Sequence, residues 1–289
     1  NTEELRNELK ALGYEFKTHC DTEVILKAYH KWKEKACEKL NGIFAFAVWD
    51  DEEKELFLCR DRIGVKPLYY SEKDGIFAFA SRIKTLLLVP EITSAVDQNG
   101  LNEIFMLGPA KTIGSAVFKD INELPPASYM IYSNEKIVIK AYWKLKAMEH
   151  NESEKETIAH TRYLVKDAIE RQLVSDVPLC TFLSGGLDSS IISRVASDYY
   201  KENGSTLNTY SVDYIDNDKY FKSSLFQPNK DSDFIDMISD YIESRHHNVM
   251  LDNKEVAKAL IESTYARTLP GFTDVDSSLL LFCRAVKKK

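Results

Sequence analysis

Apolar residues in the first half of the chain cluster in short continuous runs that charged turns separate. The longest run covers residues 43–49, IFAFAVW, and the apolar residues 56–58 follow it after a charged turn. This spacing predicts a hairpin with a deeply buried strand. Two further hairpins are predicted at residues 68–80, where Asp74-Gly75 forms the turn, and at residues 129–142.

Helical patterns accompany these hairpins. A helix is predicted over residues 2–12, with Asn1 and Glu4 placed as a capping box and Gly13 as its C-terminal stop. A second helix is predicted to begin with Asp21 as its N-cap. One face of this helix is apolar and consists of Val24, Ile25, Ala28, Trp32 and Ala36. Shorter helical patterns lie near residues 81–88 and 97–107. Together these elements predict a mixed α+β domain that ends near residue 145.

The second half changes to an alternation of helices and strands. A polar linker at 146–157 precedes a helix that begins at Ile158. The predicted elements after that helix are strands at 178–183, 207–212 and 248–251 and helices at 233–245 and 254–266. Such alternation indicates a parallel sheet with helical crossovers. Three strands are few for a doubly wound sheet, so we expect an incomplete sheet in a piece of a longer protein.

Composition narrows the class of protein. The 289 residues suffice for about two domains at roughly 150 residues each. With 44% hydrophobic and 29% charged residues, the chain is typical of a packed globular protein rather than a disordered or fibrous one. A net charge of −7 argues against nucleic-acid binding, and no apolar run reaches the roughly 18 residues of a membrane span. Five cysteines without C-x-x-C spacing favour a cytoplasmic protein.

The strongest chemical signal is the sequence SGGLDSS at residues 184–190, between a predicted strand and a predicted helix. Gly185 and Gly186 allow a sharp turn with accessible N–H groups, and the helix N-terminus favours anions such as phosphate. Asp188 would repel phosphate unless it holds a divalent cation or the loop amides. The P-loop pattern with its lysine is absent. The alternative is a simple turn with Asp188 as a helix cap, but the complete motif favours phosphate binding.

Residues 183–190, LSGGLDSS, resemble the pyrophosphate-binding loop of the PP-loop ATPases, and residues 175–178, SDVP, resemble the asparagine synthetase family. The first half resembles that family's class II (N-terminal nucleophile) glutaminase domain. The segments that carry this second resemblance are DTE at 21–23, GIFAFAVWD at 42–50, RDRIGVKPLYY at 60–70 and ASRIK at 80–84. Together the two resemblances cover nearly the whole chain in the family's order.

The resemblance implies two incomplete domains. Residues 1–145 would form part of an α+β class II amidotransferase domain, and residues 146–289 part of an α/β PP-loop ATP-binding domain with a parallel sheet. The implied reaction is ATP- and Mg²⁺-dependent amidation of aspartate to asparagine through β-aspartyl-AMP. Ammonia for this reaction would come from glutamine, and the enzyme would be a cytoplasmic homodimer without nucleic-acid or membrane partners.

The resemblance also assigns residues to sites. The implied ATP-binding residues are Leu183, Ser184, Gly185, Gly186, Asp188, Ser189, Ser190 and Val212. Asp188 is also a candidate ligand of magnesium bound to pyrophosphate, while Leu183 and Val212 would frame adenine as well as forming strand core. Asp21 matches the family's aspartate for the glutamine α-amino group, with a helix cap as its alternative. Asp274 and Asp276 lie in the segment near the aspartate substrate, and solvated helix caps are again the alternative.

Other interpretations remain open from the sequence. The family's glutaminase nucleophile, an N-terminal cysteine, and its Asn-Gly oxyanion pair are not in the chain, which as written is not expected to hydrolyse glutamine. The alternative functions are those of a related PP-loop amidotransferase, a β-lactam synthetase-like enzyme or a non-catalytic assembly module. Metal binding by His246-His247 is disfavoured because adjacent strand residues face opposite ways. The motif Arg60-Asp61-Arg62 is interpreted as structural.

Overall fold

The computed structural model describes residues 1–222 and 232–288. The chain divides into two compact units, Asn1–Met148 and Glu149–Lys289. None of the helices in the described part of the chain is long and apolar enough to cross a membrane.

The first unit contains five α-helices and seven strands among its described elements. In chain order they are α1 (Thr2–Ala11), α2 (Asp21–Trp32), α3 (Ala36–Lys39), β1 (Ala45–Asp50), β2 (Glu55–Arg60), β3 (Tyr69–Lys73), β4 (Ile76–Ala80), α4 (Ile83–Leu86), α5 (Gln98–Asn102), β5 (Asn122–Glu123), β6 (Ser128–Ser133) and β7 (Lys136–Ala141). A short π-helical turn, Glu103–Leu107, continues α5. The predicted α+β character and all three predicted hairpins are confirmed.

Two antiparallel sheets form the centre of this unit. One has the strand order β1-β2-β6-β7, with β7 at its edge, and the other has the order β4-β3-β5. On the first sheet, Phe57 and Tyr129 pack together with Tyr29 of α2, whereas Leu58 and Met130 pack with Leu68 beside the second sheet. This alternation follows the two-residue period of strands. The helices α1 and α2 therefore cover one face of a sheet whose other face meets the second sheet.

The Asp74-Gly75 turn has the backbone conformation that its sequence predicts, and the turn of the third hairpin adopts the same conformation. Asp74 and Gly75 have φ values of 51° and 78°, and Asn134 and Glu135 have values of 49° and 58°. Two successive positive φ values match the right-handed twist of the flanking strands, which is why Asp-Gly is a strong hairpin signal.

The predicted helix ends are right at one position and wrong at two. Gly13, with φ of 90°, follows the end of α1 as predicted. The capping box is absent because the Asn1 side chain donates to Lys39 O and accepts from Asn41 N instead. The prediction of Asp21 as an N-cap is also wrong, since α2 begins at Asp21 itself and Cys20 is the N-cap.

The motif at residues 60–62 is structural, as predicted. The buried Arg60 guanidinium donates to the carbonyl oxygens of Gly64, Lys66 and Leu124 at 2.6–2.8 Å and pairs with Glu123 at 3.0 Å. The buried Asp61 carboxylate accepts backbone N–H groups from Ile63, Val65 and Lys66. These contacts satisfy both buried charges and fix the loop that follows β2.

The second unit alternates helices and strands among its described residues. Its elements are α6 (Glu154–Glu170), β8 (Cys180–Phe182), α7 (Leu187–Glu202), β9 (Asn208–Tyr214), α8 (Asn217–Tyr220), α9 (Ser232–Ile242), β10 (Arg245–Leu251), α10 (Asn253–Arg267) and α11 (Thr273–Lys287). The strands form a parallel sheet in the order β10-β9-β8, so the predicted parallel pairing is confirmed.

Helices lie on both faces of this sheet. Tyr210 of β9 and Val249 of β10 pack with Phe282 of α11, on one face. On the opposite face, α7 and α9 are joined by a hydrogen bond of 2.7 Å from Ser197 Oγ to Ile242 O. Because α6 starts at the capping box of Ser153 and Glu156, it begins four residues before the predicted position.

Candidate functional site

The loop at residues 184–186 connects the end of β8 to the start of α7. In the parallel pairing of β8 with β9, Phe182 lies opposite Tyr210. Continuing this register by two residues places Ser184 level with Val212. The glycine loop and Val212 therefore lie at the carboxyl edge of the sheet, where ligands bind in open α/β sheets.

The backbone of this loop exposes the N-terminus of α7. Gly185 adopts a φ of 76°, in the left-handed region that favours glycine, and Gly186 is the extended N-cap residue. Within the described residues, no side chain caps α7. The N–H groups of the first turn of this 16-residue helix therefore lack a capping side chain, and the helix dipole makes this end attractive to anions.

Three serine hydroxyls hydrogen-bond within the loop. Ser184 N donates to Ser189 Oγ at 3.2 Å, and the two serine Oγ atoms lie 3.0 Å apart. Ser189 Oγ and Ser190 Oγ both donate to Gly186 O, at 3.1 and 2.6 Å. These bonds fix the loop, and the binding of phosphate by its remaining backbone N–H groups or by its hydroxyls stays a prediction.

Asp188 lies in the first turn of α7, and its side chain is exposed. Nowhere in the described ranges do three or more His, Cys, Asp or Glu side chains converge as a metal site. A cation held by Asp188 would therefore need ligands other than a cluster of these side chains. Phosphate oxygens are ligands of this kind for magnesium.

A hydrogen bond beneath the loop was not found from the sequence. Thr181 Oγ1 of β8 and Ser193 Oγ of α7 lie 2.8 Å apart, and Ser193 is fully buried. This bond joins the strand before the loop to the helix after it. The sequence signal that indicates this bond is a pair of hydroxyl residues, one on the predicted strand and one on the predicted helix that packs against it.

Comparisons with known proteins agree with this geometry. The glutamine amidotransferase domain family matches residues 1–143, and the asparagine synthase family matches residues 160–289. The chain is 47% identical over all its 289 residues to asparagine synthetase [glutamine-hydrolyzing] 3 of Bacillus subtilis, of which it covers 47%. The chain belongs to the glutamine-hydrolysing asparagine synthetase family.

More distant members of the asparagine synthetase family also match. A putative asparagine synthetase [glutamine-hydrolyzing] 2 of Methanocaldococcus jannaschii is 31% identical over 245 residues, which is 83% of this chain and 45% of that protein. Asparagine synthetase [glutamine-hydrolyzing] 1 of Bacillus subtilis is 35% identical over 213 residues, 73% of this chain and 33% of its own length. The chain spans less than half the length of these relatives.

Asp21, the residue predicted to bind the glutamine substrate, lies exposed in the first turn of α2. Its carboxylate accepts from Cys20 Sγ at 3.5 Å and from Thr22 Oγ1 at 3.4 Å. The backbone ahead of α2 is held instead by Glu23, which accepts from Lys17 N at 2.9 Å and Thr18 N at 2.7 Å. Asp21 is therefore not needed to satisfy these backbone donors.

The contribution of Glu23 to stability is expected to depend on pH. Its hydrogen bonds, first from Lys17 N and then from the Thr18 hydroxyl, lower the pKa of Glu23 from 4.5 to about 2. A lowered pKa in the folded state means that this stabilisation is present above pH 4.5 and is lost as pH falls toward 2. The difference in unfolding free energy between wild type and Glu23→Gln, measured by urea titration at several pH values, should shrink across that window. Glu52→Gln, in an exposed turn, is the control, and a difference that stays constant down to pH 2.5 would contradict this assignment.

The predicted aspartate-site residues begin α11. Both Asp276 carboxylate oxygens accept from Arg267 Nη1, at 2.8 and 2.9 Å, and Asp274 is exposed and accepts from Thr273 Oγ1. The described contacts do not bring these two residues to the loop at 184–190. His246 contacts Thr209 and Ser211, whereas His247 stacks on Tyr210, so the two imidazoles face opposite sides of the sheet as predicted.

Proposed function

We propose that the protein to which this chain belongs uses ATP to convert aspartate to asparagine through β-aspartyl-AMP, with ammonia taken from glutamine. The observation that carries this proposal is the SGGLDSS loop, which exposes an uncapped helix N-terminus at the carboxyl edge of a parallel sheet. This loop lies in the segment that matches the asparagine synthase family. The names of the relatives, which are asparagine synthetases, support the same reaction.

In the proposed reaction the aspartate β-carboxylate attacks the α-phosphorus of ATP and pyrophosphate leaves. The N–H groups at the start of α7 bind the pyrophosphate, where negative charge develops as the bond breaks. We assign the loop residues Ser184, Gly185, Gly186, Ser189 and Ser190 to this task. We also assign Leu183 and Val212 to frame the adenine. The exposed side chain of Val212 supports this role, whereas Leu183 is buried and would contribute through its backbone.

Magnesium, when bound, would neutralise pyrophosphate charge, and Asp188 is the residue that we assign to hold it. The exposed carboxylate of Asp188 fits this role, since it leaves room for the phosphate oxygens that must complete the coordination. We also place the aspartate substrate near Asp274 and Asp276, on the basis of the family resemblance of their segment.

We assign residues 1–145 to a glutaminase of the N-terminal nucleophile fold and residues 146–289 to a PP-loop domain. The two layered sheets of the first unit and the match at residues 1–143 support the first assignment. Asp21 would bind the glutamine α-amino group, and its exposed carboxylate supports this role. We also propose that the protein is a cytoplasmic homodimer that acts on small molecules.

The test is ATP–pyrophosphate exchange by the full-length protein with a panel of carboxylic acids. Exchange that depends on aspartate, followed by asparagine and AMP production when ammonia is added, is the expected result. If another carboxylate supports exchange and aspartate does not, the enzyme is a related amidotransferase or a β-lactam synthetase-like ligase. Absence of exchange with every acid would contradict the proposed chemistry.

A further inference from the structure

Two buried thiols meet in the first unit. Cys37 of α3 and Cys59 of β2 are 22 positions apart in sequence, and their Sγ atoms lie 2.8 Å apart. Both residues are 0% exposed. Cys20 and Cys283, in contrast, are exposed to solvent.

The backbone on both sides of this contact is held in place. Arg62, just after β2, donates through Nη1 to Leu40 O at 2.7 Å and through Nη2 to Glu38 O at 3.1 Å. The Tyr142 hydroxyl donates to Arg60 O at 2.9 Å. The Arg62 bonds tie α3 to the end of β2, and the Tyr142 bond holds that end of β2 in place, so the two sulfurs face each other at a high effective concentration.

The surroundings of the pair are apolar. The cluster that contains both cysteines also contains Tyr29, Val48, Phe57 and Tyr129. Burial is the main cause that raises the pKa of the Cys59 thiol, and its hydrogen bond with Cys37 adds to this. The folded thiol pair is therefore slow to react, because thiolate is the reactive form and solvent reagents do not reach it.

We propose that Cys37 and Cys59 are a disulfide-forming pair, which a small-molecule disulfide oxidises to a covalent link between α3 and β2. One thiolate attacks the reagent disulfide, releases one thiol and forms a mixed disulfide. The second thiolate then attacks the protein sulfur of that mixed disulfide and releases the second thiol. Two protein thiols lose two electrons and two protons, and the reagent disulfide gains them as two thiols.

This reaction takes place while α3 is separated from β2, before packing is complete or during local opening. Once the link has formed, packing of the first unit excludes reductants from both sulfurs. The oxidised form should therefore persist in conditions that reduce mixed disulfides on the exposed Cys20 and Cys283.

The test begins with the full chain, unfolded and reduced, which is refolded in buffers of reduced and oxidised glutathione. After refolding, the sample is denatured in N-ethylmaleimide and its intact mass is measured. We expect three labelled cysteines instead of the five in a sample refolded with dithiothreitol. Trypsin should then give one species that joins residues 36–39, ACEK, to residues 55–60, ELFLCR. Five labelled cysteines, or separate glutathione adducts on Cys37 and Cys59, would overturn the proposal.

Matched variants identify the pair. Cys180→Ser should leave the joined peptide unchanged, whereas Cys37→Ser should abolish it and leave Cys59 open to labelling. Because the link is detected in the wild-type chain, the result does not depend on how well Cys37→Ser folds. The oxidised chain should also melt at a temperature higher by about 5–10 °C, since the link closes a loop of 22 residues. Unfolding in dithiothreitol followed by refolding should remove this difference. A joined peptide without any change in melting would show a link formed outside the packed structure and would contradict the assignment.

Discussion

Replacing Asp188 with alanine is expected to lower aspartate-dependent ATP–pyrophosphate exchange by about 100- to 1,000-fold, the usual effect of removing one preorganised electrostatic group. In the proposed function, Asp188 holds the cation that offsets pyrophosphate charge beside the α7 N-terminus. Without its carboxylate, the helix N–H groups alone face that charge. Because the Asp188 side chain is exposed, the substitution should leave the fold intact.

Asp198→Ala is the matched control for this substitution. Asp198 lies on the same helix and forms a half-exposed ion pair with Arg194 at 3.0 Å, so its loss should change stability by less than about 1 kcal/mol and leave exchange unchanged. Equal melting temperatures for the two variants would exclude unfolding as the cause. An Asp188→Ala protein with wild-type exchange and nucleotide affinity would show that Asp188 does not hold the cation in this reaction.

The second large effect is expected in the first unit, where Arg60→Met should cost about 3–5 kcal/mol of unfolding free energy. Methionine fills much of the same volume but leaves three carbonyl oxygens without their guanidinium donor. It also removes one partner of the half-buried Glu123, which retains Lys111 at 3.2 Å. The measurement is urea unfolding followed by the fluorescence of the first unit's tryptophans, Trp32 and Trp49, with Trp143 near its end.

Lys54→Met removes a cation from the same region at a surface position and serves as the control. Its ion pair with Asp51 is exposed on both sides, so the expected change is below about 1 kcal/mol. An Arg60→Met protein as stable as Lys54→Met would show that the buried network contributes little net stability. The motif would then require an explanation other than structural support.

Short-range patterns accounted for most of the fold. The hairpin turn at Asp74-Gly75 and the stop at Gly13 were predictable because each depends on one or two residues with unusual backbone freedom. The parallel sheet was predictable from alternation alone. Likewise, SGGLDSS indicated a loop at the start of a helix because its glycines and its position after an apolar strand act locally.

Features that depend on distant partners were missed or misplaced. Local residues predict a capping box at Asn1, but the Asn1 side chain bonds instead to residues about 40 positions away. The sequence predicts Asp21 as the N-cap because it does not show that Glu23 accepts from the backbone of Lys17 and Thr18. The contacts between Thr181 and Ser193 and between Cys37 and Cys59 likewise arise only when separate elements pack.

The edge strand β7 affects whether copies of the first unit aggregate through strand pairing in a concentrated solution. Residues 136–140 have the sequence KIVIK, which is palindromic with Val138 at its centre. If two copies paired antiparallel along this edge about Val138, each Lys136 would face Lys140 of the other copy. Like charges directly opposite one another destabilise a sheet. The exposed apolar residues at the centre of β7 would favour aggregation in this register. The symmetry of the sequence places a repelling pair of lysines at each end of the same register.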